Sequence, residues 1–366
     1  FVFGGLVASG MPLLVGVSAI LGSFLVMYLL TLFTGVSIFA LNLITGLGLG
    51  LGIDYSLLIV NRFREELHAG KSVDDAIKRT VSTAGKTVFY SGLTIVITLA
   101  SLTLFPLMFL KSFGYAGVTV VIMAVLGSLV ALPALLAILG KRIDKAVIRK
   151  SAITPKEDGR WAQTARFVMR RPVAVVVLSL VILSVLAAPI KNIVFSQVDS
   201  RVLPASNPAA FASKIISDRF PGQEGNPVEI VIPNGALVQE EVNQYISEVA
   251  KVDGIVRVSP PQILGNDLRI TAVHSMPPRT LPAESLIKDI RAIKSPDGTL
   301  IGGIAADYAD TQIGIARTMP WALTWIAVGV LVLLFVFTGS IILPIKAVIL
   351  NILSLAATLG AITWIF

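Results

Sequence analysis

Asn42-Leu43-Ile44-Thr45-Gly46-Leu47-Gly48-Leu49-Gly50-Leu51-Gly52-Ile53-Asp54-Tyr55-Ser56 decides the fold. One carboxylate aside, the stretch is uncharged, and it sits in a window, 36–60, that exceeds the roughly 20 residues a helix needs to cross a hydrocarbon core of about 30 Å. Its alternating glycines invite two readings, a phosphate cradle or close helix packing. Gly46 with Gly50, and Gly48 with Gly52, are GxxxG pairs, which let helix backbones approach closely in lipid. No P-loop Lys follows, and a dinucleotide fingerprint needs a preceding strand and a soluble βαβ unit around it. The four glycines are therefore read as helix-packing residues of a membrane span.

Asp54 is the one acid of 22 that falls outside the polar regions of the chain. It lies eight residues before Arg62, about 12 Å of helix rise. A carboxylate at mid-bilayer costs about 3 kcal/mol on insertion scales, and such residues usually face a bundle interior and serve ion or proton paths. Asp54 is thus expected to load a proton from one side and release it to the other. Tyr55 brings a hydroxyl that needs a partner at this depth. Ser91, early in the span at 88–109, is placed to reach Asp54 across a helix interface. The competing readings are a neutral Asp54 tying two helices together and a Ser91 bonded to its own backbone. Lys346 is the one basic residue within a span, near a helix end where its side chain can snorkel to the surface.

Outward from this stretch, apolar windows run over 11–32, 88–109, 115–139, 173–194, 321–337 and 341–366, after a stub at 1–7. With 36–60 they make seven spans plus a stub. The chain is 55% hydrophobic and 14% charged, with mean hydropathy +0.83, which excludes an ordinary soluble fold. Cysteine is absent and histidine occurs twice, so a disulfide scaffold, a Cys nucleophile and a Cys- or His-rich metal site are excluded, and no cofactor is expected. Asn61 to Lys86 carries six Lys/Arg against four acids, and Lys141 to Arg171 ten against three, while the loops near Thr34 and Ser112 hold only Lys111. The positive-inside rule places both basic segments in the cytoplasm and residues 195–319 outside. Topology then accounts for the net charge of +8 without nucleic acid; specific binding of anionic lipid is the competing reading of the basic segments.

Residues 195–319 contain no apolar run long enough to span. Strands at Val228–Ile232, Ile255–Val258, Leu268–His274 and Leu300–Ile304 are expected, with helices at Ala236–Val249 and Pro282–Ile293. The order β-α-β-β-α-β is the ferredoxin-like split βαβ pattern. A helix over Asp307–Thr318 is then expected to run into the membrane. The domain map is 1–140 first transmembrane helices, 141–171 basic linker, 172–194 a transmembrane helix, 195–319 the external domain and 320–366 further transmembrane helices. Val2-Phe3-Gly4-Gly5 with Pro12 resembles Val336-Phe337-Thr338-Gly339-Ser340 with Pro344, which suggests a parallel internal repeat. Phe1 and Phe366 both lie inside apolar segments, so the chain reads as a fragment of a larger polytopic protein.

Asn42-Leu43-Ile44-Thr45, the glycine run, Gly52-Ile53-Asp54-Tyr55 and Asn61-Arg62-Phe63-Arg64-Glu65-Glu66 together resemble the mycobacterial-membrane-protein-large (MMPL) family of the resistance-nodulation-division superfamily. Gly302-Gly303-Ile304-Ala305-Ala306 through Asp310, and Gly339-Ser340 with Pro344-Ile345-Lys346-Ala347, extend the likeness. The resemblance implies an α-helical polytopic membrane protein of the bacterial inner membrane, with an extracytoplasmic α+β porter-like domain of ferredoxin-like type. It implies proton-driven export of lipids or other hydrophobic molecules, with Asp54, Tyr55 and by position Ser91 as half of a proton relay. The other half would lie in a C-terminal portion of the same polypeptide outside this sequence, and a homo-oligomer is left open. The rival within the superfamily is a sterol- or lipid-sensing receptor or a protein-secretion accessory. An enzyme reading, an intramembrane aspartyl protease, needs two carboxylates sharing a proton. The membrane segments hold one.

Overall fold

The computed structural model describes residues 6–144, 159–193, 203–204, 206–220, 222 and 224–365. Its helices are α1 (Leu6–Thr31), α2 (Ala40–His68), α3 (Val73–Thr80), α4 (Lys86–Ala100), α5 (Met108–Leu126), α6 (Leu132–Leu139), α7 (Arg160–Arg170), α8 (Pro172–Ala187), α9 (Pro208–Arg219), α10 (Gln239–Val249), α11 (Leu281–Ala292), α12 (Ile304–Thr338) and α13 (Ile342–Ile365). The strands are β1 (Val228–Ile232), β2 (Ile255–Val258), β3 (Gln262–Leu264), β4 (Asp267–His274) and β5 (Leu300–Gly302). Two compact units result: residues 1–193 with 318–366, and residues 194–317.

In the first unit, α3 and α4 join through a five-residue π segment, Val81–Gly85, into one helix that runs to Leu104. A second π segment, Gly127–Ala131, likewise joins α5 to α6. Ser82 Oγ and Thr83 Oγ1 both donate to the Arg79 carbonyl, at 3.0 and 2.7 Å, where the first of these departs from the α-helical ladder. Among the described residues seven helices are long and apolar enough to cross a membrane.

Small residues set the packing. Ala8, Met11, Val15, Ala19, Ser23 and Met27 recur every three or four positions as the buried stripe of α1. A Cβ on Gly52 of α2 would stand 2.5 Å from the Gly16 Cα of α1, and one on Gly92 of α4 would stand 2.4 Å from Val125 Cγ2 of α5. At the opposite end from the basic segments, the Ser37 amide donates to Ser112 Oγ at 2.9 Å and ties the α1–α2 loop to α5. Elsewhere in this unit Trp325 Nε1 of α12 donates to the Ile97 carbonyl of α4 at 3.0 Å. A Cβ on Gly360 of α13 would lie 2.1 Å from the Leu186 carbonyl oxygen of α8.

The second unit holds an antiparallel sheet in the order β2-β4-β1-β5, with β3 pairing β4. Val228, Ile230 and Ile232 alternate inward along β1 and meet Val242, Tyr245 and Val249 of α10 and Leu286, Ile287 and Ile290 of α11 in one core. Glu229, on the outer face, accepts from Arg269 Nε and Nη2 at 2.9 Å each, which holds its carboxyl below the usual range. Arg291 binds Asp310 through two nitrogens, at 2.5 and 2.9 Å, joining α11 to α12. Burial without a partner charge pushes the Tyr245 phenol up to about 12.

His274 at the end of β4 is fully buried, and its ring Nε2 lies 3.1 Å from the Asn226 carbonyl. Burial holds its proton affinity below the ordinary value of 6.5. Between the folded value and 6.5 the unfolded chain binds the extra proton, so stability falls as pH drops through this window, by at most about 1.4 kcal/mol per pH unit for one proton. Glu229, lowered rather than raised, adds a loss of the same sign at more acid pH. The protection of β1 and β4 amides in the intact protein, exchange being corrected for its intrinsic pH dependence, is expected to fall below about pH 6.5, and His274→Gln to flatten that dependence. An unchanged profile in the variant would show that another group is responsible.

Several expectations are corrected. Leu6 and Val7 already belong to α1, and residues 1–5, with the first copy of the suggested repeat, lie outside the described residues, as do 145–158 of the basic linker. The segment 61–86 holds the end of α2, all of α3 and the first π segment, the ends of two long helices, Ala40–His68 and Val73–Leu104, that outrun the bilayer. The expected helix at 307–318 and span at 321–337 are one helix, α12. Sequence reading passed over β3 because Pro260-Pro261 interrupts the edge strand; neither proline can donate to a ladder. It also passed over α9, whose short run lacks a clear apolar face.

Candidate functional site

Helix α2 carries Asp54 and Tyr55 on neighbouring positions about 100° apart, and they go to different places. Tyr55 is 6% exposed and lies within the core built by α1, α2 and α5. Its hydroxyl is 3.4 Å from Ser91 Oγ on α4, where either group can donate. Gly92, the next residue, lies close against α5, and a Cβ there would meet the Tyr55 hydroxyl only at an ordinary contact distance of 3.8 Å. Asp54, in contrast, is exposed on this chain, and no hydrogen bond or ion pair of its carboxyl exists among the described residues. The expectation that Ser91 meets Asp54 is therefore corrected: Ser91 meets Tyr55, because the turn of the helix points Asp54 away from α4.

The glycines divide in the same way. Gly48 and Gly52 are buried; a Cβ on Gly48 would stand 2.6 Å from Ile20 and 3.0 Å from Val120. Gly46 and Gly50 have nothing within 4 Å. With Asp54 they form an i, i+4, i+8 row, so the carboxyl continues an uncovered small-residue stripe. The GxxxG pairing is thus split, one pair meeting α1 and α5 and the other facing open space. Gly16, the partner of Gly52, was missed, because α1 offers no matching four-residue glycine spacing.

Two turns beyond Asp54, Phe63 is fully buried and Glu66 is 5% exposed. Arg62 pairs with Glu65 at 3.1 Å and also with Glu66, which takes Lys71 Nζ at 2.5 Å. This knot neutralises a nearly buried carboxylate at the end of α2. Among the described residues no group of three His, Asp or Glu side chains is placed to hold a metal ion.

The sequence profile of the MMPL family matches residues 1–175, which hold Asp54, Tyr55, Ser91 and all four glycines of the run. The whole chain also aligns with the trehalose monomycolate exporter MmpL3 of Mycobacterium tuberculosis at 32% identity, over 43% of that protein. Over its first 175 residues the chain is similar to the MMPL family. A membrane protein of Streptomyces coelicolor is 38% identical over all of this chain and 50% of its own length. SecDF, a translocon-associated membrane protein from Thermus thermophilus, superposes with a TM-score of 0.43 at 16% identity, covering 96% of this chain and 47% of that one. The chain spans about half the length of the relatives it matches. With seven helices among the described residues long and apolar enough to cross a membrane, and with its likeness to the MMPL family, it is a multi-pass cell-membrane protein.

Proposed function

We propose that this chain is one half of a proton-driven exporter of lipids or other hydrophobic molecules. The observation that carries the reading is Asp54, the one carboxyl in the apolar part of α2, set beside the hydroxyl pair of the buried Tyr55 and the exposed Ser91. Likeness to an exporter of trehalose monomycolate supports lipid as the cargo class.

The uncovered row Gly46, Gly50, Asp54 gives the site its missing side. Facing hydrocarbon, Asp54 would carry the insertion cost of about 3 kcal/mol. Facing another helix across two glycines, it gains polar partners at close range. The reading assigns that helix to the remaining half of the same polypeptide. Protonation of Asp54 removes a charge from this seam and changes how the central helices pack. The helices that lead to the external domains convert this into alternating access for the cargo. The mechanism needs no nucleotide and breaks no covalent bond in the cargo.

The full-length protein in liposomes is expected to move labelled lipid only under an imposed proton gradient and to stop on addition of a protonophore. Tyr55→Phe, which removes one hydroxyl and little volume, should slow this transport by about fivefold, the worth of one hydrogen bond near 1 kcal/mol. Ser91→Ala should do at least as much, because it leaves the hydroxyl of the buried Tyr55 without its partner. Transport indifferent to the gradient would refute the proton-driven reading, whatever the variants do.

A further inference from the structure

The two π segments meet. A Cβ on Gly85 in the first would lie 3.4 Å from Leu129 of the second. Where they meet, a groove of about 510 Å³ opens between α4, the second π segment and the end of α12. Its walls are Val81, Phe89, Leu129, Val336 and Phe337, and Lys86 is the one charged residue lining it. Tyr90 closes one side with its ring 4.6 Å from that of Phe337. One turn toward the start of the same helix, a second hollow of about 470 Å³ is lined by Lys71, Lys78, Arg79, Ser82 and Asp75.

The charges in this region are unevenly satisfied. Lys71 is held by Glu66, and Asp75 accepts from Ser72 Oγ at 2.7 Å. Lys78, Arg79 and Lys86 are exposed and have no carboxylate at ion-pair distance among the described residues. The helix Val73–Leu104 is 32 residues, or about 48 Å, against a core of about 30 Å, so its basic start lies among lipid headgroups. Lys86 then sits near the hydrocarbon boundary, with the aromatic rings of Phe89 and Tyr90 just inside it. An apolar slot that continues into unpaired cations has the polarity of a phospholipid. A basic pocket between transmembrane helices on the positive side of the membrane favours an anionic one.

We infer that this groove binds an anionic phospholipid of the cytoplasmic leaflet, with an acyl chain along Val81, Leu129 and Val336 and the phosphate against Lys86, Arg79 and Lys78. The site lies apart from Asp54 and does not depend on the export reading. Its occupancy is read by lipid retention without any transport measurement.

The test is native mass spectrometry of the full-length protein, exchanged into equal amounts of phosphatidylglycerol and phosphatidylcholine. Phosphatidylglycerol should be retained preferentially. Lys86→Gln should cut that preference about fivefold, as expected for one interfacial cation, while Lys86→Arg keeps it. Val336→Trp, at an exposed position, fills the slot without touching a charge and should lower retention of both lipids. Millimolar inorganic phosphate should not displace the bound lipid, because a free anion lacks the chain that fills the groove. Equal retention of the two lipids, an unchanged preference in Lys86→Gln, undiminished retention in Val336→Trp, or displacement by phosphate would each overturn the site.

Discussion

Asp54→Asn in the full-length protein is expected to reach normal membrane levels and to lose proton-driven lipid accumulation. Asn matches Asp in size, and the position is exposed on this chain, so helix packing within it is undisturbed. What disappears is the capacity to take up and release a proton. Each proton crossing 100 mV carries about 2.3 kcal/mol. At 1.36 kcal/mol per decade this sustains a cargo ratio of about 50-fold per coupled proton. The variant should lose about that factor in the steady-state ratio of labelled lipid measured in energised inside-out vesicles. Efflux at the original level, with protein abundance matched, would remove Asp54 from the coupling step.

A contrast between two glycines two positions apart has a comparably large expected effect and separates packing from function. Gly52→Val places branched carbons where Gly16 backbone atoms already stand, the nearest 2.5 Å from the first added carbon. Backbone cannot yield as a side-chain tip does, so the α1–α2 contact should open at a cost of about 3 kcal/mol or more. The protein should fall sharply in abundance and in resistance to thermal aggregation. Gly50→Val meets nothing within 4 Å and should leave abundance of this half, expressed alone, unchanged. In the full-length protein, where the proposed partner helix approaches that row, the same substitution should abolish efflux. Full transport in Gly50→Val would show that the row of Gly46, Gly50 and Asp54 is not a helix seam.

Hydropathy alone made the seven spans legible, because a bilayer imposes length and apolarity on any helix that crosses it. The β-α-β-β-α-β order was equally readable, since Val228, Ile230 and Ile232 alternate while Val242, Tyr245 and Val249 keep helical spacing. Orientation within the spans was not. Around α2 both faces are apolar, so periodicity gave no sign that Gly48 and Gly52 turn inward while Gly46 and Gly50 turn out. Asp54 stood out by its charge, but the side it faces depends on which neighbours occupy the other half of the helix. Ser91 was chosen by depth, and depth does not fix azimuth: it found the adjacent hydroxyl rather than the carboxyl. The π segments left no mark in composition, being changes of winding rather than of chemistry.

That winding acts like a notch on a dial. An α-helix advances its faces by about 100° per residue, and a π insertion shifts every later position by one such step. Were the five residues Val81–Gly85 wound as plain α-helix with none removed, Ser91 would swing about 100° away from the Tyr55 hydroxyl although hydropathy along the chain was unchanged. The bundle guards its winding at that place, and a chain that kept the residues but lost the π turn would still insert, still look correct to any profile of oiliness, and carry its interior wiring crossed.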